Sequence, residues 1–255
     1  MNPISFYLKS LYKKTHGYRP TWLPNTPIKI GDVGILEDDV FIKESTLNEY
    51  GISFKVAISE SDATIDLSSE CGITLKTKLE GKIDPSATSL GKADAGFIIE
   101  FNDENGFIFK AKGSRTSVIS NLGAVKKEVL RRFNEDNWAK NWVIISELIE
   151  AKSATILLSG QAGNKVELKA QSNLNVSTMD IADASLNLKL ESGQTLAATI
   201  LGQEKITPLY RVIGVKQSFF SDSSVVGREP SAELQNREDN IEISEIEIDV
   251  SDIEN

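Results

Sequence analysis

Apolar positions along this chain follow two spacings, and each predicts a different element. At the start, Ile4, Leu8 and Leu11 recur at helical intervals, behind Asn2 as a cap and Pro3 in the first turn. A short amphipathic helix is predicted there. Pro20, Pro24 and Pro27 in YRPTWLPNTPIKIGDVG then exclude a helix and predict an extended arm anchored by aromatic side chains. From about residue 35 to 112 the spacing falls to two, as in Ile52, Phe54 and Val56, Ile65 and Leu67, or Ile73 and Leu75. GFIIEF at 96–101 and GFIFKAK at 106–112 flank NDEN and predict a β-hairpin.

Leu122, Val125, Val129 and Phe133 return to steps of three and four, with Ser120 or Asn121 available as cap, and give the clearest helix in the sequence. WVIISELIEAKSATILLSG favours strands, although Glu147–Lys152 also fits a helical turn. NKVELKAQ, ASLNLKLE, QTLAATILG and ITPLYRVIGVK alternate and complete a sheet. The predicted class is α+β: a twisted, largely antiparallel β-sheet with a short N-terminal helix and a few packed helices. After Lys216 the composition turns polar, which sets a domain over 1–216 apart from a linker over 217–240 and a tail over 241–255. In the tail Ile241 and Ile243 alternate, Ser244 and Glu245 interrupt, and Ile246, Ile248 and Val250 resume one register later. Ile253 follows them. This pattern predicts a bulged, one-faced edge strand.

Charge sharpens the contrast between the two ends. The 255 residues carry 28 basic and 37 acidic side chains, a net charge of −9, which argues against nucleic acid as a partner. Residues 1–30 hold Lys9, Lys13, Lys14, Arg19 and Lys29 without a carboxylate, whereas 228–255 set Arg228 and Arg237 against ten acids. Head and tail can attract each other or seek different partners. One Cys and one His form neither an internal disulfide nor a zinc site, so a reducing compartment is expected. With no long apolar run and no leader pattern at the start, the expected form is soluble and cytoplasmic.

Enzymatic chemistry is sparse. The chain has no GxSxG, P-loop, GxGxxG, HExxH or CxxC, and no catalytic residue, metal or cofactor is assigned. His16 sits in a basic stretch without an evident catalytic partner, Cys71 reads as a packing residue, and Asp38–Asp39 lack the spacing of a calcium loop. What remains is geometry. Strands such as VELKAQ and SLNLKLE fit a half-exposed sheet, or hairpins able to cross a bilayer if they close into a ring. Lys9, Lys13 and Lys14 fit a solvated helix end or an anionic-lipid contact. The tail isoleucines fit a fraying acidic extension or a strand added to an open sheet edge.

This layout resembles the gasdermins, particularly the short bacterial ones. NWVIISELIEAKSATILLS at 141–159, following the helix at 121–135, is similar to the helix and V-V-T-E-V-type strand of gasdermin pore-forming domains. QTLAATILGQEKITPLYRVIGVK at 194–216 is similar to the late strand that closes such a domain, and the basic N-terminal helix agrees with it. The resemblance implies an autoinhibited monomer cut by a protease near its C-terminus, then a homo-oligomer that perforates the inner membrane and kills the cell as antiphage defence. It places the inhibitory role on Ile241, Ile243, Ile246, Ile248, Val250 and Ile253, and cleavage in the linker, where Arg228 or Arg237 suits a trypsin-like protease. Many bacterial members carry a lipidated cysteine near the start; positions 2–20 here hold none, and Cys71 does not take that place. Two rivals stand beside this reading: a soluble β-rich scaffold whose acidic tail recruits a protein partner, and a hydrolase using Asp or Glu.

Overall fold

The computed structural model describes residues 2–23, 26–60, 62–69, 73–78, 94–171, 179–192, 196–218 and 240–248. Helix α1 (Pro3–Lys14) begins as predicted, with Asn2 Oδ1 accepting from the Ser5 amide at 2.8 Å. Helix α2 spans Leu122–Asn134, but the Asn121 side chain does not cap it; Asn121 Oδ1 accepts instead from the Lys55 amide at 2.7 Å. The first sheet contains β1 (Arg19–Pro20), β2 (Asp32–Glu37), β3 (Val40–Thr46), β4 (Val56–Ile58) and β5 (Ala63–Ser68). It also contains β8 (Phe107–Ile119), β9 (Val143–Ser159), β12 (Leu196–Ser218) and β13 (Asn240–Glu245). The second consists of β6 (Ile73–Lys78), β7 (Gly96–Phe101), β10 (Asn164–Ala170) and β11 (Leu188–Ser192), in the order β11-β10-β7-β6. The fold is therefore α+β with a sheet-rich core. The expected few packed helices reduce, among the described residues, to two α-helices and a 3-10 turn at Ala184–Leu186.

β9 is the spine. β12 pairs with it over most of its length, and β8 lines its other side. Strand continues through Glu147–Lys152, so the helical turn that segment also fits does not form. The two strands expected at 194–216 are one 23-residue strand, with Pro208 facing the arm: its carbonyl accepts from the Thr21 amide at 2.9 Å. That placement suits a residue without an N–H. Register shifts between β12 and β9 re-aim side chains along both strands.

The expected hairpin at 96–112 is not one. β7 pairs with β6 and β10 in the second sheet, while β8 pairs with β4, β5 and β9 in the first. Both faces of β7 are buried: Phe97, Ile98, Ile99 and Phe101 are all core residues. A strand apolar on both sides is covered well inside a second layer, and β8 has no free edge to offer it, being flanked by β5 and β9 over 108–111. Gly106 makes the crossing possible, because a Cβ there would lie 2.6 Å from the Phe101 ring.

The two faces of the first sheet are covered by different elements. Tyr7, Leu8 and Leu11 of α1 pack on Phe107, Phe109, Ile156 and Leu158. The second sheet packs on the opposite face, through Ile108 and Leu157. At the other end of the spine, Val125 and Val129 of α2 cover Ile144, Ile213 and Val215. On the reverse face there, Ile28 of the arm and Phe41 cover Val143, Ile145, Tyr210 and Val212.

Candidate functional site

The place where head and tail meet is the most distinctive feature of the surface. β13 lies antiparallel on the edge of β12, from Ser218 opposite Asn240 to Ile213 opposite Glu245. The tail was expected to be a one-faced strand with a bulge; the ladder instead stops at Glu245, and the apolar side changes. Ile241 and Ile243 pack into the cluster under α2, with Ile243 only 6% exposed. Ile246 packs into the cluster on the reverse face, against Gly214 and Val143. A period that slips by one residue sends successive side chains to opposite sides of a strand. Ser244–Glu245 therefore makes the segment grip both sides of the β12 edge. Ile248, 5% exposed, completes the set. Val250, Ile253, Arg228, Arg237 and most of the 217–240 linker lie outside the described residues, as does Cys71.

Past β13 the chain reaches the end of α1. Tyr12, Lys13, His16, Gly17, Glu245, Glu247 and Ile248 line a shallow depression between them. The Ile246 amide donates to the Val212 carbonyl at 3.4 Å, which seats the chain beside Tyr12. Gly17, at φ +102°, has no room for a side chain, because a Cβ would lie 2.6 Å from Glu245 Oε1. Two arginines frame this contact. Arg19 is 1% exposed; its Nη1 donates to Asp39 Oδ1 at 3.2 Å and its Nη2 to the Ile246 carbonyl at 2.7 Å. Arg211 stacks over the Tyr18 ring at 4.3 Å and donates to the His16 carbonyl. The Tyr18 hydroxyl donates to Glu147 at 2.6 Å; burial, then that carboxylate, push its pKa well above the ordinary phenol range.

Lys9 and Lys14 are half-buried and Lys13 is exposed on the last two turns of α1; none of the three is without a partner. His16 occupies a left-handed turn at φ 52° and contributes its carbonyl to Arg211. Asp38 and Asp39 form the left-handed β2–β3 turn, and Asp39 serves Arg19. Sequence reasoning picked out the isoleucines and the lysines but missed Tyr12, Arg19, Asp39 and Arg211. Most of their partners lie tens to hundreds of residues away, and the basic, aromatic character of KTHGYRP hinted at Arg19 alone.

A second charged cluster crosses the middle of the first sheet. Asp62 pairs with Arg115 and Lys152, and Lys112 Nζ lies 2.8 Å from Asp183. Asp62, Lys112, Lys152 and Asp183 border an open cleft of about 480 Å³ with Glu204 and Ser185. The Lys112 ammonium, then the Ser185 hydroxyl, hold the Asp183 carboxyl down at about 2. Both aspartates are thus acceptors in ion pairs. Among the described residues no group of three His, Cys, Asp or Glu side chains could hold a metal.

No protein-family model matches this chain, and no curated protein sequence is significantly similar to it. Among the described residues, no helix is long and apolar enough to cross a membrane.

Proposed function

We propose that this chain is an autoinhibited, gasdermin-like pore-forming effector. Its C-terminal segment holds it inactive, and proteolysis between 217 and 240 releases it. The observation that carries the reading is the seat of the segment: β13 occupies the β12 edge while Ile243 and Ile246 hold opposite faces of it. An edge strand with open N–H and C=O groups recruits another strand, so an edge capped by a separable segment is suited to controlled assembly. In a bilayer the strands must close into a ring, which makes the active form a homo-oligomer. Lys9, Lys13 and Lys14 supply cations for an anionic surface, each worth about 1 kcal/mol there. Membrane lipids and the activating protease are the partners, with the inner membrane as destination and antiphage cell death as outcome.

The reading in which the acidic tail recruits a protein partner fits less well, because the tail's isoleucines are already occupied within the fold. The test is dye release from anionic liposomes, using a chain with a specific protease site inserted between 221 and 239. Release after cleavage and none before is expected. Absence of both release and lipid binding after complete cleavage overturns the proposal.

A further inference from the structure

We infer that Arg19 couples the seating of the C-terminal segment to the order of the end of α1, so that loss of one loosens the other. The inference deepens the proposed function by naming the link between tail and head, and it rests on that reading only in treating departure of the segment as the activating event.

Arg19 joins three elements distant in sequence. Its guanidinium fork holds Asp39 of the β2–β3 turn at 3.2 Å and the carbonyl of Ile246, 227 residues away, at 2.7 Å. Its face lies 5.6 Å from the Tyr12 ring on α1, and Tyr12 and Ile248 line the same depression. The segment therefore touches the end of α1 twice, once through Tyr12 and once through the arginine that covers Tyr12. The arginine is 1% exposed, so each of its donors needs a fixed acceptor. Asp39 balances the charge through Nη1 alone, while the Nη2 bond goes to Ile246. When the segment leaves, a buried charged donor loses its partner, which is among the costlier defects a fold can carry. The side chain then turns to water, and the turn and helix end packed around it lose their order. By linkage the effect runs both ways: a disordered helix end weakens the hold on Ile246.

The test is hydrogen exchange on the full chain in the absence of lipid, so failure of the pore reading and failure of this one are read separately. The amides of Thr15, His16 and Gly17, bonded to carbonyls of α1, report the helix end; that of Ile246, bonded to Val212, reports the tail. Ile243→Ala loosens the tail without touching Arg19, and exchange is expected to rise at both sets of amides by similar factors. A rise at Ile246 alone overturns the coupling. Arg19→Met keeps the bulk of the side chain and leaves Asp39, 34% exposed, to solvent. It is expected to speed Ile246 exchange by about tenfold or more, the scale of a lost charged hydrogen bond. Unchanged Ile246 exchange overturns the inference. In the Arg19→Met background, adding Ile243→Ala should alter Thr15–Gly17 exchange by a clearly smaller factor than it does with Arg19 present, a non-additivity that a purely structural role would not produce, and an equal factor overturns the inference.

Discussion

Replacing Ile243 with alanine should free the C-terminal segment while the body stays folded. The side chain is 6% exposed, among Val125, Val129, Ile213 and Val215, and truncating it removes three carbons from that packing. Buried Ile→Ala changes cost about 2–5 kcal/mol, and the low end applies where the site can collapse, as at a sheet edge. Taking about 2–3 kcal/mol, the population with the segment undocked rises about 30- to 150-fold. The loss is local: α2, β9 and β12 keep their other contacts, so the global midpoint moves little while local opening moves a great deal. Native-state hydrogen exchange at the β13 amides and Ile246 measures this directly, with the β7 and β10 amides of the second sheet as an internal control. If β13 exchange changes less than about threefold in a folded variant, Ile243 does not hold the segment and the argument from its burial is wrong.

Three further outcomes follow from contacts elsewhere. At Gly214 a Cβ would lie 3.1 Å from Ile246 and 3.2 Å from Val143, so Gly214→Val should expel the segment and speed exchange of the Ile246 amide, whereas Gly214→Ala should be mild. At Gly34 a Cβ would lie 2.0 Å from the Ile42 carbonyl oxygen, a backbone atom that cannot yield without parting β2 from β3; Gly34→Ala should cost about 1–3 kcal/mol or more by chemical denaturation. Asp183, held at about 2 against an ordinary 3.8, stabilises the fold fully above its ordinary value, and that contribution is lost as pH falls toward 2. Asp183→Asn should flatten this acid limb of Tm against pH and cost no more than about 1 kcal/mol at neutral pH, the pair being partly exposed.

Both helices and most strands were legible from their apolar periods, and α1 from its cap as well. Asn2 capped as its sequence context suggests, and the run from Leu122 to Phe133 needed no tertiary help to be recognised. The failures occurred where a distant contact overrode a local preference. Asn121 gave its side chain to Lys55 instead of its helix, and GFIIEF and GFIFKAK, matched across a tight turn, went to different layers. In the tail the slip at Ser244–Glu245 was visible, but a bulge there would have kept the isoleucines on one face; the ladder runs to Glu245 without one, so they fall on two. Arg19 was visible only as one more cation. Its role depends on Asp39, Tyr12 and Ile246 meeting in space, and no local spacing encodes that meeting.

The NDEN turn has a consequence for how the two layers relate. It joins runs whose composition suits them as immediate neighbours, yet each spends its hydrogen bonds on other strands. The native arrangement thus leaves one favourable local match unspent, and a conformer with its layers parted already has a short-range alternative that requires no rethreading of the chain. Whatever separates β7 from β6 and β10 has to break those two ladders, and taking β8 as a neighbour costs a third, because β5 and β9 already flank β8 over 108–111.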